Sequence, residues 1–350
     1  MGRPPIVASR AGARTARDYT RVLRTWVILV GFIALGTTSA TPALAQRFPF
    51  EQSFDVTEPA TLDVSTLRGK IDVTAGEPGR IVVTGAVTVR LGWNVPVNAV
   101  DLAQKVAANP PIQRDTQTIT LRPPADPTAQ RAVTVSYQVR VPANTRVQAV
   151  SDSGATSVRG VSGTVVVRTQ SGAIELMQLG DATEVTTGSG SVAIDGVGGA
   201  LTVTTSSSGV VGRSLRGDVH VRTGSGSVEA ELSGEGNADV ETSSSAIRII
   251  GVRGALRVST QSGRVSVSGV PNRSWTAYSG SGSLEIAIDS SSSFSLGAMT
   301  GSGSVSVDGA TVQGSVSKRE VSGDIGAGGP LVRVSSRSGS IRVRLTPAAR

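Results

Sequence analysis

One histidine and 26 acidic side chains are the obvious material for acid-base chemistry in this chain of 350 residues. His220 has Asp218 two residues before it, so both project from the same face of an extended segment. A Ser-His-Asp site would need a serine held against that imidazole and preorganised donors for an oxyanion. Serine is so abundant along the chain that a nearby one carries no information, and His220 reads as a solvated surface residue. Paired carboxylates could hydrolyse glycosides, and the candidates are Asp152, Asp181, Asp195, Asp218, Asp239, Asp289, Asp308 and Asp324. They are scattered through turns and strand ends, where aspartate serves turn geometry. A catalytic groove would most readily assemble between Asp289 and Asp324, where the spacing of the chain turns irregular.

Metal chemistry finds less support. The calcium-binding nonapeptide G-G-x-G-x-D has no match, since Gly188-Ser189-Gly190-Ser191 lacks the following acid. The chain has no cysteine, which excludes a disulfide framework, a thiolate metal site and lipoprotein acylation. A flat array of threonines could suggest ice binding, but the threonine column shares the parity of inward valines. No residue is assigned a catalytic, cofactor-binding or metal-ligating role, and no cofactor is expected.

The elements that would position these residues are unusually plain. From Ala155 to Gly263 one unit recurs six times, closing at Gln170-Ser171-Gly172, Gly188-Ser189-Gly190, Ser206-Ser207-Ser208, Gly224-Ser225-Gly226, Ser243-Ser244-Ser245 and Gln261-Ser262-Gly263. The closing residues stand 18, 18, 18, 19 and 18 positions apart, the mark of stacked repeats. In each unit two stretches alternate apolar and polar with period two, as half-buried strands do. One gives the column 174/192/210/228/247/265 and the other the column 167/185/203/221/240/258, with threonine two places beyond the latter. Glycines between the stretches and at the Ser-Gly corner suggest turns that use positive φ. A coil of 18–19 residues cannot bury its own apolar face, so neighbours must stack on it, pairing each strand with its equivalent above and below. The expected fold is all-β, a parallel β-solenoid. Outward neighbours then include Arg222 with Glu241, Asp239 with Arg257 and Glu229 with Arg248, opposite charges of the kind that help fix register.

The chain divides into residues 1–45, 46–150 and 151–350. In the first part Arg17, Arg21 and Arg24 precede the apolar run Trp26–Leu35, which leads to Ala43-Leu44-Ala45. A basic region, a short apolar segment and an A-x-A site read as a secretory signal peptide cleaved after Ala45, and so as export to the periplasm, cell surface or medium. The second part is a less regular β segment in which the solenoid begins near Asp63. Val100, Ala103, Val106 and Ala107 recur there at helical spacing, with Asn98 placed to cap, and strands follow at residues 116–122 and 132–141. The third part is the regular solenoid. Beyond Gly263 its corners drift to spacings of 19, 21, 20 and 16, and Arg333, Arg337, Arg342 and Arg344 with Pro347 read as guards of a terminal strand edge.

Charge limits the partners. The formal net charge is +8, but six arginines and one aspartate leave with the first 45 residues, so 34 basic side chains become 28, 26 acidic become 25, and the balance is +3. Scattered arginines and few aromatics on an exported chain exclude nucleic acid as the expected partner. Membrane contact is expected only through the leader, were it retained. An envelope or extracellular protein or glycan fits an extended polar surface better.

The unit V-x-T-x-S-G-x-[IV]-x-[VIL], with an entry segment of the type Val139-Arg140-Val141-Pro142-Ala143, resembles a bacterial β-strand-repeat family of unknown function labelled as candidate adhesins. The likeness runs from Asp63 to Leu345. It implies a parallel β-solenoid outside the cytoplasmic membrane and brings no catalytic residues with it. No barrel or sorting motif follows Leu345, which argues against autotransporter-type or covalent display. The expectation is therefore a noncatalytic exported solenoid acting as an adhesin or an envelope interaction or structural protein. The alternative is a carbohydrate-active β-helix enzyme, a polysaccharide hydrolase or lyase.

Overall fold

The computed structural model describes residues 46–92 and 95–347. The signal peptide expected over residues 1–45 lies outside the described residues. Strand accounts for 55% of the described residues and helix for 5%, and the strands form two long sheets of a β-solenoid.

The N-terminal part contains β1 (Arg47–Asp55), β2 (Thr61–Thr66), β3 (Ile71–Ala75), β4 (Arg80–Val89), α1 (Ala99–Ala108), β5 (Ile112–Asp115), β6 (Thr118–Leu121), α2 (Pro127–Ala132) and β7 (Val133–Val141). The regular coils follow as β8 (Arg146–Ser151), β9 (Thr156–Arg159), β10 (Val165–Thr169), β11 (Ile174–Leu179), β12 (Thr183–Thr187), β13 (Val192–Val197), β14 (Leu201–Thr205) and β15 (Val210–Leu215). They continue as β16 (Val219–Thr223), β17 (Val228–Leu232), β18 (Ala238–Thr242), β19 (Ile247–Val252), β20 (Leu256–Thr260), β21 (Val265–Gly269), β22 (Trp275–Ser279) and β23 (Leu284–Asp289). The chain closes with β24 (Phe294–Thr300), β25 (Val305–Asp308), β26 (Val312–Val316), β27 (Glu320–Ile325), β28 (Leu331–Ser336) and β29 (Ile341–Thr346).

From β8 to β23 the strands alternate between the sheets, odd numbers in sheet A and even numbers in sheet B, each paired in parallel with its equivalent one coil away. The pairing register is the one the repeat predicts. Val167, Val185, Val203, Val221, Val240 and Val258 form one buried column, and Ile174, Val192, Val210, Val228, Ile247 and Val265 form another. Side chains from both sheets merge into one continuous apolar core, which supplies the burial that no single coil can.

The threonine column has a second role beyond packing. Thr169, Thr187, Thr205 and Thr223 each accept, at Oγ1, a hydrogen bond from the N–H three residues on, at 3.0, 3.2, 3.1 and 3.0 Å respectively. At these four corners the column is thus a stack of side-chain-closed turns that folds each the same way, whereas Thr242 Oγ1 donates to the Gly226 carbonyl at 3.4 Å. Glycine serves the corner through close approach, and this corrects the expectation of positive φ there: a Cβ on Gly190 would lie 1.8 Å from the carbonyl oxygen of Gly172 in the preceding coil. Left-handed backbone occurs at the other bend, at Gly160, Gly196 and Gly251, and at the same coil position in Gln178 (φ 55°) and Ser214 (φ 54°).

The stack departs from chain order at both ends. In sheet B the sequence of neighbours is β22-β28-β24-β27-β26, and in sheet A it is β23-β29-β25. The last coil, β28 and β29, is therefore inserted between two coils that precede it in the chain. Arg333, Arg342 and Arg344 lie on these interior strands, which overturns their reading as edge guards: Arg342 pairs with Asp308 at 3.6 Å and Arg344 with Glu285. The other end mirrors the arrangement, with β2 between β6 and β8 and β3 between β7 and β9. Beyond β7 and β6 the pairing turns antiparallel, through β4 and β1 in one sheet and β5 in the other.

The helix expected from the spacing of Val100, Ala103 and Val106 is α1. Ala99 and Ala103 are buried, and Leu102, Val106 and Ala107 pack on the end of the core. Asn98 occupies its N-cap position but makes no side-chain capping bond, so it does not cap as expected. Helix α2 went unpredicted although its signal is present: Asp126 accepts from the N–H of Thr128 at 2.8 Å, and Pro127 occupies the first turn.

Candidate functional site

The outer face of sheet B presents rows of side chains, one residue per coil, at the parallel strand spacing. One row reads Glu184, Thr202, His220, Asp239, Arg257 and Thr276 in consecutive registers. Its neighbour two residues on contains Arg222 opposite Glu241. The central part of the first row borders a shallow concavity of about 340 Å³ lined by Asp218, His220, Asn237, Asp239 and Arg257.

Within it His220 Nδ1 lies 3.3 Å from Asp239 Oδ2, one coil away, and both side chains are partly exposed. Asp218, the partner suggested by sequence proximity, is engaged elsewhere. Its Oδ1 accepts from the backbone N–H of Asn237 at 2.8 Å and from Asn237 Nδ2 at 3.1 Å, and Asn237 Oδ1 in turn accepts from the N–H of Ala255 at 3.0 Å. Three coils are therefore tied together at the turns before β16, β18 and β20 by a short amide ladder that was not visible as such in the sequence.

The row places Thr202 beside His220 on the side away from Asp239, an order of hydroxyl, imidazole and carboxylate. Among the described residues no hydrogen bond joins Thr202 to His220. The backbone amides of these strands are committed to the ladders between coils, so none of them is free to stabilise an oxyanion. The arrangement supplies hydrogen-bond donors and acceptors at fixed spacing on a firm surface.

The remaining carboxylates are distributed in the same way. Asp289 accepts from the Oγ of Ser291 at 2.6 Å and its N–H at 2.9 Å, and these bonds, the hydroxyl's first, hold its carboxyl below the usual aspartate range. Asp308 lies on β25 in sheet A against Arg342, while Asp324 lies on β27 in sheet B and accepts from Ser295 Oγ at 2.5 Å. The stretch between Asp289 and Asp324 thus spreads its acids over two sheets and a turn. Among the described residues no group of three or more His, Cys, Asp or Glu side chains is placed to hold a metal ion.

Of the three expected cross-coil charge pairs, Arg222 and Glu241 meet at 3.5 Å. Asp239 lies beside Arg257 and Glu229 beside Arg248 in register, but Asp239 makes its contact with His220. Other pairs run diagonally, two residues off register, such as Arg168 with Glu184 at 2.7 Å and Arg159 with Glu175 at 2.8 Å. A second concavity, about 510 Å³, opens between α1 and the segment Arg122–Asp126; Arg122 at its rim is held by Asp63 at 2.6 Å.

Residues 134–344, well over half the chain, match the family model described as Toastrack DUF4097. The chain belongs to that family. The toastrack match covers the regular coils, β28 and β29 as far as Arg344. Two solved structures resemble the chain. One is described as a candidate cell adhesion protein from Clostridium sporogenes, 12% identical over 85% of this chain and 100% of its own, with a TM-score of 0.19. The other, a candidate adhesin from Bacteroides fragilis, is 13% identical over 85% of this chain and 97% of its own, with a TM-score of 0.28. No curated protein matches the chain. By family the chain is therefore a toastrack protein, and by its own strand pairing a β-solenoid.

Proposed function

We propose that the protein is a noncatalytic exported toastrack solenoid that works by extended contact, as an adhesin or an envelope interaction protein, through the outer face of sheet B. The observation that carries this reading is the disposition of the polar side chains. They are repeated one per coil along a rigid surface and tied to neighbouring coils, as His220 is to Asp239 and Asp218 to Asn237. Acids that would have to converge for glycoside hydrolysis stand on different sheets, each with its own partner. Such a surface suits a glycan or protein that offers hydroxyls and amides at intervals, since many modest contacts add along it. The basic and apolar grammar of residues 1–45 supports export.

The test is retention against turnover on a panel of envelope and plant polysaccharides. Saturable retention with no new reducing or unsaturated ends is expected, weakened in an Asp239→Ala, Arg257→Ala double variant that keeps its melting temperature. Turnover that disappears in Asp308→Ala would overturn the proposal in favour of a hydrolase or lyase. Retention that ignores the double variant would move the contact off this face.

A further inference from the structure

The two ends of the stack are finished differently. At the N-terminal end the outermost strands carry devices that discourage further pairing: β1 has Pro49 with Arg47, Glu51 and Asp55, and β5 has Arg114 and Asp115 preceded by Pro110 and Pro111. Helix α1 also covers the core there. At the C-terminal end the last strand of sheet B is β26, Val312-Gln313-Gly314-Ser315-Val316, which pairs with β27 on one side only. It has no charge, no proline and no bulge, and Val316 is 65% exposed.

The hydrogen-bonding phase of that edge can be read from the hairpin. Ser317 N–H donates to Glu320 O at 2.7 Å, so the bonded pairs of the β26–β27 ladder fall next at Ser315 with Ser322 and at Gln313 with Asp324. The N–H and C=O groups of Val312, Gly314 and Val316 consequently point to the open side. These three also share a face, aligned with buried Ile325 and Val321, while Gln313 and Ser315 occupy the other. Reversed about Gly314, the segment superimposes its own pattern. Valine meets valine, glutamine meets serine, and every outward backbone donor meets an acceptor.

We propose that β26 is a self-association edge, through which two copies of this chain join their C-terminal stack ends by antiparallel pairing of Val312–Val316 about Gly314. A one-residue slip would set valines against polar side chains and misphase the hydrogen bonds, so the register is selected. Because the opposite end is guarded, the contact is isologous and closes at two rather than propagating into a fibre. Five-residue strands bury well under the ~1,200 Å² of a stable interface, so the dimer is weak and forms at high local concentration.

The test is sedimentation equilibrium of the chain expressed from its first residue and purified as it matures, from ~10 μM to ~1 mM, the range in which such small interfaces associate. The mean mass should climb toward twice the monomer and stop, and Val316→Lys should weaken association at least tenfold. An independent readout uses the absence of native cysteine. Gln313→Cys and Ser315→Cys, made separately and mixed, face each other in a non-hydrogen-bonded pair close enough for a disulfide and should cross-link to each other in preference to themselves. Monomer at every concentration, growth beyond two, indifference to Val316→Lys, or cross-linking without that preference would each overturn the proposal. Monomer throughout would leave β26 as an edge for a different strand.

Discussion

Thr205 and Thr260 occupy the same position in the coil and are 5% and 2% exposed, but their hydroxyls are employed differently. Thr205 Oγ1 accepts from the N–H of Ser208 at 3.1 Å, a group that is itself buried. Thr260 Oγ1 is buried without a hydrogen-bond partner. Valine matches threonine in shape, so Thr→Val at each site changes the hydroxyl and little else. At Thr205 the variant leaves a buried N–H unpaired, which costs about 1–3 kcal/mol. At Thr260 it removes a buried polar atom that had no partner, and stability should hold or rise, the change staying within about 0.5 kcal/mol if it falls at all. With a urea m-value of about 3 kcal/mol per molar, the Thr205 variant's midpoint should drop by roughly 0.3–1 M while the Thr260 variant's stays put or increases. Because stacked repeats unfold in neighbourly units, amide exchange should locate the damage, with the Ser208 N–H losing protection first. Equal losses at both sites, or no loss at Thr205, would refute the view that the threonine column closes the corners rather than merely filling them.

Gln178 and Ser214 hold left-handed backbone at exposed sites where other coils have glycine. Replacing either with glycine relieves about 1–2 kcal/mol of steric cost against about 0.4–1 kcal/mol of added chain entropy. A net gain of about 0.5–1 kcal/mol is expected, and a fall in melting temperature for both variants would show that the strain is absent. Burial pushes the Tyr137 phenol above its ordinary value of 10.0, so its neutral form contributes stability that is complete below that pH and drains away as pH rises beyond it. Tyr137→Phe loses a 3.1 Å bond to the Arg122 carbonyl but should flatten this alkaline decline, measured as urea midpoints from about pH 8 to about pH 11; an unchanged slope would contradict the assignment.

The regular coils were legible because their evidence is redundant. Each inward valine is seen again one period later, and a period fixes both the strand and its neighbour. What a period cannot carry is stacking order. The Ser-Gly pairs at Ser302-Gly303, Ser322-Gly323 and Ser338-Gly339 look alike in sequence, yet Ser322-Gly323 lies inside β27 and is no corner, β28 and β29 pass inside the coil of β24 and β25, and the segment of β26 and β27 forms a hairpin in one sheet. Partner choice on the outer face was hidden for a related reason. Asp218 is the acid nearest His220 on its strand, but residues two apart along a strand are farther from each other than facing residues on adjacent strands, and the histidine turns to Asp239. The diagonal pairs of Arg159 and Arg168 escape a reading confined to direct neighbours for the same geometric reason.

The placement of the chain's last strands has a mechanical meaning. In a stack laid down in chain order, tension on a terminus would peel the outermost strand away one bond at a time. Here tension applied beyond Thr346 acts on β29, which is paired along its whole length with β23 on one side and over Ile341–Arg344 with β25 on the other. Parallel ladders on both flanks load together in shear, and no outer strand is available to start an unzipping. A load from the other terminus meets β1 first, an outermost strand that pairs only with β4, but then reaches β2, held in the same way between β6 and β8. That construction turns a pull on the chain end into a load shared across coils.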